Sequence, residues 1–171
     1  HPVHGSRHPE MGHLPVARHP DDRLPGRCPY HGDCLEGLAA SAALAQRWNL
    51  SPADLGALPE QLAIALEAWY LAQLTTALTY LFAPELIVLD GAVPALPGML
   101  AAVREQTGRR LGDDPALAGL TGSLDRYLVR SSLDGHAARL GALALAQHSV
   151  TTPHQLAPSP EPTSGPSPAD R

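Results

Sequence analysis

Apolar and polar residues change rhythm several times along this chain. Residues 1–34 mix His, Pro, Gly and Asp without a period, which predicts loop, apart from one short strand at Gly12 to Ala17. From Leu35 the composition turns to Ala and Leu, and a helix is expected to run towards Trp48 with Asp33 capping its start. A polar connection containing Pro52, Gly56 and Pro59 follows. Leu62, Leu66, Trp69, Leu74, Leu78 and Leu81 then keep a helical period, which predicts a long helix from about Glu60 to Phe82, ended by Pro84. Leu86 to Leu89 is a short apolar run rich in branched side chains and reads as a buried strand, with Gly91 turning the chain out of it. A helix from about Leu96 to Leu111 comes next, and Arg109 and Arg110 suit its C-terminal dipole. A second strand is expected at Arg126 to Val129 and a last helix over roughly Gly135 to Gln147. Strands alternating with helices imply an α/β layer structure. From Pro153 onward six prolines fall in nineteen residues among Ser, Thr and Gly, a composition that cannot bury enough apolar surface to order itself. The chain therefore divides into a loop region (1–34), an α/β lobe (35–150) and a Pro/Ser-rich tail expected to be disordered (151–171).

Composition narrows the function classes. With 171 residues, 44% of them hydrophobic, the chain can bury a real core. Its net charge is −5 and all twelve basic residues are Arg; the acidic balance argues against a nucleic-acid partner, which usually needs a basic patch. No charged-then-apolar leader is visible, and every long apolar stretch is broken by Gln, Thr, Pro or Glu before it could span a bilayer. The expected compartment is the cytoplasm, with no membrane partner. There, paired cysteines are more often metal ligands than a disulfide.

The two cysteines, Cys28 and Cys34, lie within seven residues, with His31 midway. A tight loop can aim all three at one point, and zinc wants four N or S ligands in a tetrahedron. A fourth ligand must come from elsewhere; six of the nine histidines lie in residues 1–34, and His13 and His19 are the candidates. Two thiolates and two neutral imidazoles balance the charge of Zn²⁺. Four protein ligands leave no position for water, so such a site is structural rather than catalytic. Metal binding worth about 10–16 kcal/mol can hold a loop with little core beneath it. The spacing also admits two reduced cysteines beside a solvated His31, or a disulfide across five residues.

The flanks add to the cluster. "HPEMGH" (8–13) is followed by "CPYHGDCLEG" (28–37), which resembles the zinc-containing fructokinase branch of the ROK family of sugar kinases. The shared pattern is Glu-x-Gly-His, a Cys/His cluster, then Cys-x-Glu: Glu10, Gly12 and His13, then Cys28, His31 and Cys34, then Glu36. "YLAQ" (70–73), "APELIVLDGAV" (83–93) and "LGALALA" (140–146) look like the C-terminal half of that family. The resemblance implies the C-terminal half of an actin-like, ribonuclease H-like ATPase fold carrying an inserted zinc loop. It makes His13 the fourth zinc ligand, beside the sugar, and Glu10 and Glu36 the carboxylates that accept hydrogen bonds from sugar hydroxyls. Taken alone, Glu10 reads as a solvated loop acid and Glu36 as a charge favouring a helix N-terminus. The implied activity is ATP- and Mg²⁺-dependent phosphorylation of a hexose, fructose at its 6-hydroxyl, by an enzyme that often dimerises.

The chain also departs from that pattern. A phosphate loop resembling Asp-x-Gly-Gly-Thr and a catalytic Asp following Asn are both missing; "DLGAL" (54–58) lacks the second Gly and the Thr. The expectation is a C-terminal half that is inactive without an N-terminal lobe. Where the family has a run of glycines for the nucleotide, this chain has Asp90, Gly91 and Ala92. A turn with one Gly can seat a phosphate, but the carboxylate repels one unless Mg²⁺ intervenes, and Ala92 adds a Cβ. Two other functions fit the same residues: a non-enzymatic zinc-bound sugar-binding or interaction module, and the C-terminal half of a ROK transcriptional repressor.

Overall fold

The computed structural model of the chain describes residues 9–51, 54, 60–133 and 135–151. Pro52, Gly56 and Pro59, most of "DLGAL", and the Pro/Ser-rich tail beyond residue 151 lie outside the described residues. The chain forms two units, His1–Gly135 and His136–Arg171.

The first unit is α/β, with helices around a small parallel sheet. A 3₁₀ turn at Met11–His13 leads through an irregular loop to helices α1 (Leu35–Ala39) and α2 (Ser41–Arg47). The long helix α3 (Glu60–Phe82) follows, then strand β1 (Ile87–Leu89) and helix α4 (Met99–Leu111). Two single-turn helices, α5 (Ala118–Thr121) and α6 (Leu124–Tyr127), deliver the chain to β2 (Leu128–Arg130). β1 and β2 pair in parallel with Ile87 opposite Leu128, Val88 opposite Val129 and Leu89 opposite Arg130. Ile87 and Leu89 face the core while Val88 between them is exposed, the two-residue alternation of a sheet with one covered face.

Packing explains where the sequence reading holds and where it shifts. The main core joins Leu44 and Ala45 of α2, Ala63 and Ala68 of α3, Ile87 and Leu89 of β1, Met99 and Val103 of α4, and Tyr127 and Leu128. A second, smaller core of Leu35, Leu38, Ala39 and Tyr70 lies where α1 meets α3. Because α3 is covered by α1 and α4 together, its buried positions are Ala63, Leu66, Glu67, Ala68, Tyr70, Ala72, Thr75 and Thr79. The leucine stripe expected to face the core is only partly inside: Leu66 is buried, whereas Leu62 and Leu81 are 51% and 73% exposed. Small side chains let neighbouring helices approach closely, and the Thr75 and Thr107 hydroxyls bridge α3 and α4 at 2.7 Å.

Several local expectations are corrected. No strand forms at Gly12 to Ala17; those residues hold the 3₁₀ turn and a single antiparallel bridge between Pro15 and Cys34. The helix expected from Leu35 to Trp48 is broken at Ala40, whose ψ of 153° is extended. Asp33 is not its cap; the Cys34 sulfur accepts the Gly37 N–H at 3.5 Å, and Asp33 instead bonds Arg18. α4 begins at Met99 rather than Leu96, after Gly98 at φ 77°. The second strand begins two residues later and ends one residue later than expected, because α6 claims Arg126 and Tyr127. In the second unit, α7 (Ala137–Thr151) begins two residues after and ends four residues beyond the expected span.

Candidate metal centre

The loop before α1 is held shut by backbone contacts that permit no side chain. The Arg27 N–H donates to the Gly37 carbonyl at 2.9 Å, the Gly32 N–H to the Cys28 carbonyl at 3.0 Å, and the Leu35 N–H to the Leu14 carbonyl at 2.9 Å. A Cβ on Gly37 would sit 1.9 Å from the Gly32 carbonyl oxygen, so the crossing of loop and helix requires glycine there. Gly32 itself, at φ 60°, takes the left-handed turn that brings the second thiol round to the first. The Arg18 guanidinium clamps the outside through Asp33 and the Leu24 carbonyl.

The result is a four-residue cluster. One ligand atom each from His13, Cys28, His31 and Cys34 lies within 4.8 Å of every other. The Cys28 sulfur is 3.6 Å from His13 Nδ1 and 3.7 Å from His31 Nδ1, and the Cys34 sulfur is 3.7 Å from His13 Nδ1. A tetrahedron with metal–sulfur bonds near 2.3 Å and metal–nitrogen bonds near 2.0 Å has edges of about 3.3–3.8 Å, with sulfur–nitrogen edges of about 3.5 Å, so these three sulfur–nitrogen distances suit one. The cysteines are buried and carry no disulfide. Burial would push the Cys28 thiol up, but the Tyr30 and His31 backbone amides outweigh it and bring it below its ordinary value. Burial pushes the Cys34 thiol up, and the neighbouring Cys28 sulfur adds to that. A divalent cation would favour the ionised form of both thiols.

His19, the other histidine within reach in sequence, is used elsewhere. Its ring packs edge-on to Trp69 at 5.2 Å, and its Nδ1 accepts the Asp21 N–H at 3.2 Å. Glu36 leans over the cluster, its Oε2 3.9 Å from His13 Nδ1 and its side chain 52% exposed. It lies against Gly12, where an added Cβ would come within 3.2 Å of that carboxylate oxygen. Glu10 opens the 3₁₀ turn, and its carbonyl accepts the His13 N–H at 3.0 Å. Tyr30, which sequence reasoning did not single out, is 79% exposed with its ring 6.0 Å from that of His13. Asp90, Gly91 and Ala92 lie outside this cluster; they are exposed at the carboxyl end of β1, with Gly91 at φ 111°.

A buried ionic group anchors the loop from below. Asp22, 4% exposed, accepts Arg47 Nη2 at 2.9 Å, Arg47 Nε at 3.2 Å and the Tyr70 hydroxyl at 2.6 Å. Arg47 also donates to Glu67 Oε1 at 2.5 Å and to the Leu38 carbonyl at 2.7 Å. Burial pushes the Asp22 carboxyl up, but Arg47 and Tyr70 outweigh it and hold it below the usual carboxylate range. Burial raises Glu67 to about 7 against the pull of Arg47. Burial and the Asp22 hydrogen bond push the Tyr70 hydroxyl up to about 12, so it stays a donor. These residues tie the loop to α2 and α3 at once.

The model of the ROK family matches residues 1–149. The chain belongs to the ROK family. A protein named fructokinase from Zymomonas mobilis subsp. mobilis is 40% identical to this ROK chain over 147 residues, 85% of the chain and 47% of the relative. Proteins of the same name from Streptococcus mutans and Pediococcus pentosaceus are 35% and 33% identical over 150 and 147 residues, each match covering 49% of the relative. The chain thus spans about half the length of the curated relatives it matches. Among its described residues no helix is long and apolar enough to cross a membrane.

Proposed function

We propose that this chain is the metal-loop half of an ATP-dependent hexose kinase that converts D-fructose to fructose 6-phosphate in the cytoplasm. The observation that carries the reading is the convergence of His13, Cys28, His31 and Cys34 with Glu36 beside His13, in a ROK chain whose relatives are named fructokinase. The fold is then one lobe of an actin-like, ribonuclease H-like ATPase with an inserted zinc loop. Zinc held by four protein ligands serves structure: it fixes the loop and thereby the groups upon it. Glu36, Glu10 and the exposed edge of His13 contact the sugar, the carboxylates accepting hydrogen bonds from its hydroxyls. Asp90, Gly91 and Ala92 would form part of the seat for ATP, and Mg²⁺ would supply the positive charge that offsets Asp90 and the phosphates.

Transfer of the γ-phosphate needs a base to take the hydroxyl proton as the sugar oxygen attacks. The single Asn of these 171 residues, Asn49, precedes Leu50 rather than Asp, and no Asp-x-Gly-Gly-Thr occurs among them. The polypeptide by itself would therefore not turn sugar over; the complete kinase would need a second lobe or a second copy to supply the base.

Calorimetric titration of metal-loaded protein with fructose tests the reading. Saturable binding is expected, weakened about tenfold or more in Glu36→Gln, the loss of one hydrogen bond to a charged acceptor, with metal content unchanged. Absence of fructose binding, or equal binding by Glu36→Gln, would contradict it. Fructose-dependent ADP release by this polypeptide alone would contradict the claim that it lacks a base.

A further inference from the structure

At the seam of α3 and α4, beside the loop, a cavity of about 560 Å³ is lined by Leu14, Pro15, Gln73, Thr76, Ala77 and Arg110. Two of its polar groups are unmatched. Arg110 Nε and Thr76 Oγ1 are buried without a hydrogen-bond partner. Gln73 is committed, its amide bonding both the N–H and the carbonyl of Ala17 at 2.7 and 2.9 Å. The Arg110 guanidinium lies over the Trp69 ring at 4.3 Å, and its Nη2 donates to the Trp69 carbonyl at 3.4 Å. Among the described residues no carboxylate forms an ion pair with it. The other arginine of that helix turn, Arg109, is paired with Glu105.

Holding a guanidinium partly out of water without an anion is unfavourable, and a buried hydroxyl with no partner adds to that. Burial accordingly pulls Arg110 below its ordinary pKa. The aromatic face supplies a fixed support, so the fork is held in one plane before anything binds. Leu14, Pro15 and Ala77 offer apolar wall beside it. The geometry points to this cavity as a binding site for a small oxyanion, a carboxylate or phosphate group on an organic molecule, held by Arg110 and Thr76. Both atoms are closed to solvent in the unliganded protein, so a small turn of the two side chains admits the ligand: its oxygens accept from the Arg110 guanidinium and the Thr76 hydroxyl, and the carbon portion rests on Leu14 and Pro15. Since Leu14 and Pro15 directly follow His13, ligand binding also buttresses the metal loop. No other residue of the candidate metal centre takes part.

The test titrates the zinc-loaded protein separately with sodium phosphate and sodium acetate, following tryptophan fluorescence, because Trp69 reports directly on Arg110. Sodium chloride at matched ionic strength is the control. Saturable change with phosphate or acetate but not chloride is expected, and the stronger of the two identifies the ligand group. Arg110→Gln should weaken it about tenfold or more, and Thr76→Val should weaken it while leaving the Arg110–Trp69 stack in place. Arg110→Lys, which keeps charge but loses the fork, should bind more weakly than wild type, and it covers the case in which Arg110→Gln fails to fold. Absence of saturation with both anions, an equal response to chloride, or unchanged affinity in Thr76→Val and Arg110→Lys would overturn the proposal.

Discussion

Replacing Glu67 by Gln should stabilise this protein at pH 8 and do nothing at about pH 4. Glu67 is fully buried on α3, with Oε1 on Arg47 and Oε2 unpartnered. Asp22 and Arg47 already neutralise one another, so an ionised Glu67 leaves a net negative charge inside. Burial lifts its carboxyl from an ordinary 4.5 to about 7, even though Arg47 pulls the other way. The folded state thus holds a proton between those two values that the unfolded state has released. Stability from this residue is complete below pH 4.5 and is lost as pH rises through about 7. The shift corresponds to a loss of roughly 3 kcal/mol by pH 8. Glutamine keeps an acceptor for Arg47 and removes the charge. The assay is urea denaturation of wild type and Glu67→Gln at matched pH with zinc in excess, so that metal linkage cancels in the difference. The variant should match wild type at about pH 4 and exceed it by up to about 3 kcal/mol at pH 8. A difference independent of pH, or a variant that loses stability as pH rises relative to wild type, would refute the reasoning.

Two further outcomes follow from packing. Gly37→Ala puts a Cβ 1.9 Å from the Gly32 carbonyl oxygen; helix propensity alone would favour alanine by about 1 kcal/mol, so a loss of about 3 kcal/mol or more in denaturation and a weakened metal affinity are the signature of the loop crossing. Thr107→Val removes the buried hydroxyl contact to Thr75 but leaves Thr75 bonded to the Ala72 carbonyl at 3.2 Å; a loss of about 1 kcal/mol is expected in the same assay, with fructose and metal binding unaltered.

What was legible in the sequence was what is local. Ile87 to Leu89 could be read as a strand because branched side chains run between Pro84 and Gly91. α3 was legible from the helical period of its apolar positions, ended by Pro84, yet that period misjudged its buried face, because two neighbouring helices enclose it and select alanine and threonine. The break at Ala40 has no local signal, alanine being the best helix former. It is set from a distance: Arg47 takes the Leu38 carbonyl while binding Asp22 and Glu67. That buried group was invisible for the same reason, its members lying 20 and 25 residues from Arg47. At the loop, the two-residue spacing of Cys28, His31 and Cys34 was plain, whereas spacing could not separate His13 from His19. The tertiary fold does so by sending the His19 ring to Trp69. Asp33 looked like a helix cap but sits where Arg18 and the Gly26 amide claim its carboxylate.

The account turns on whether these four side chains hold one ion. Elemental analysis of the purified protein, repeated on Cys34→Ser, measures this directly. One zinc per chain is expected in the wild type and a large loss in the variant. Metal-free wild-type protein that neither takes up zinc stoichiometrically nor gains stability from it would contradict the account.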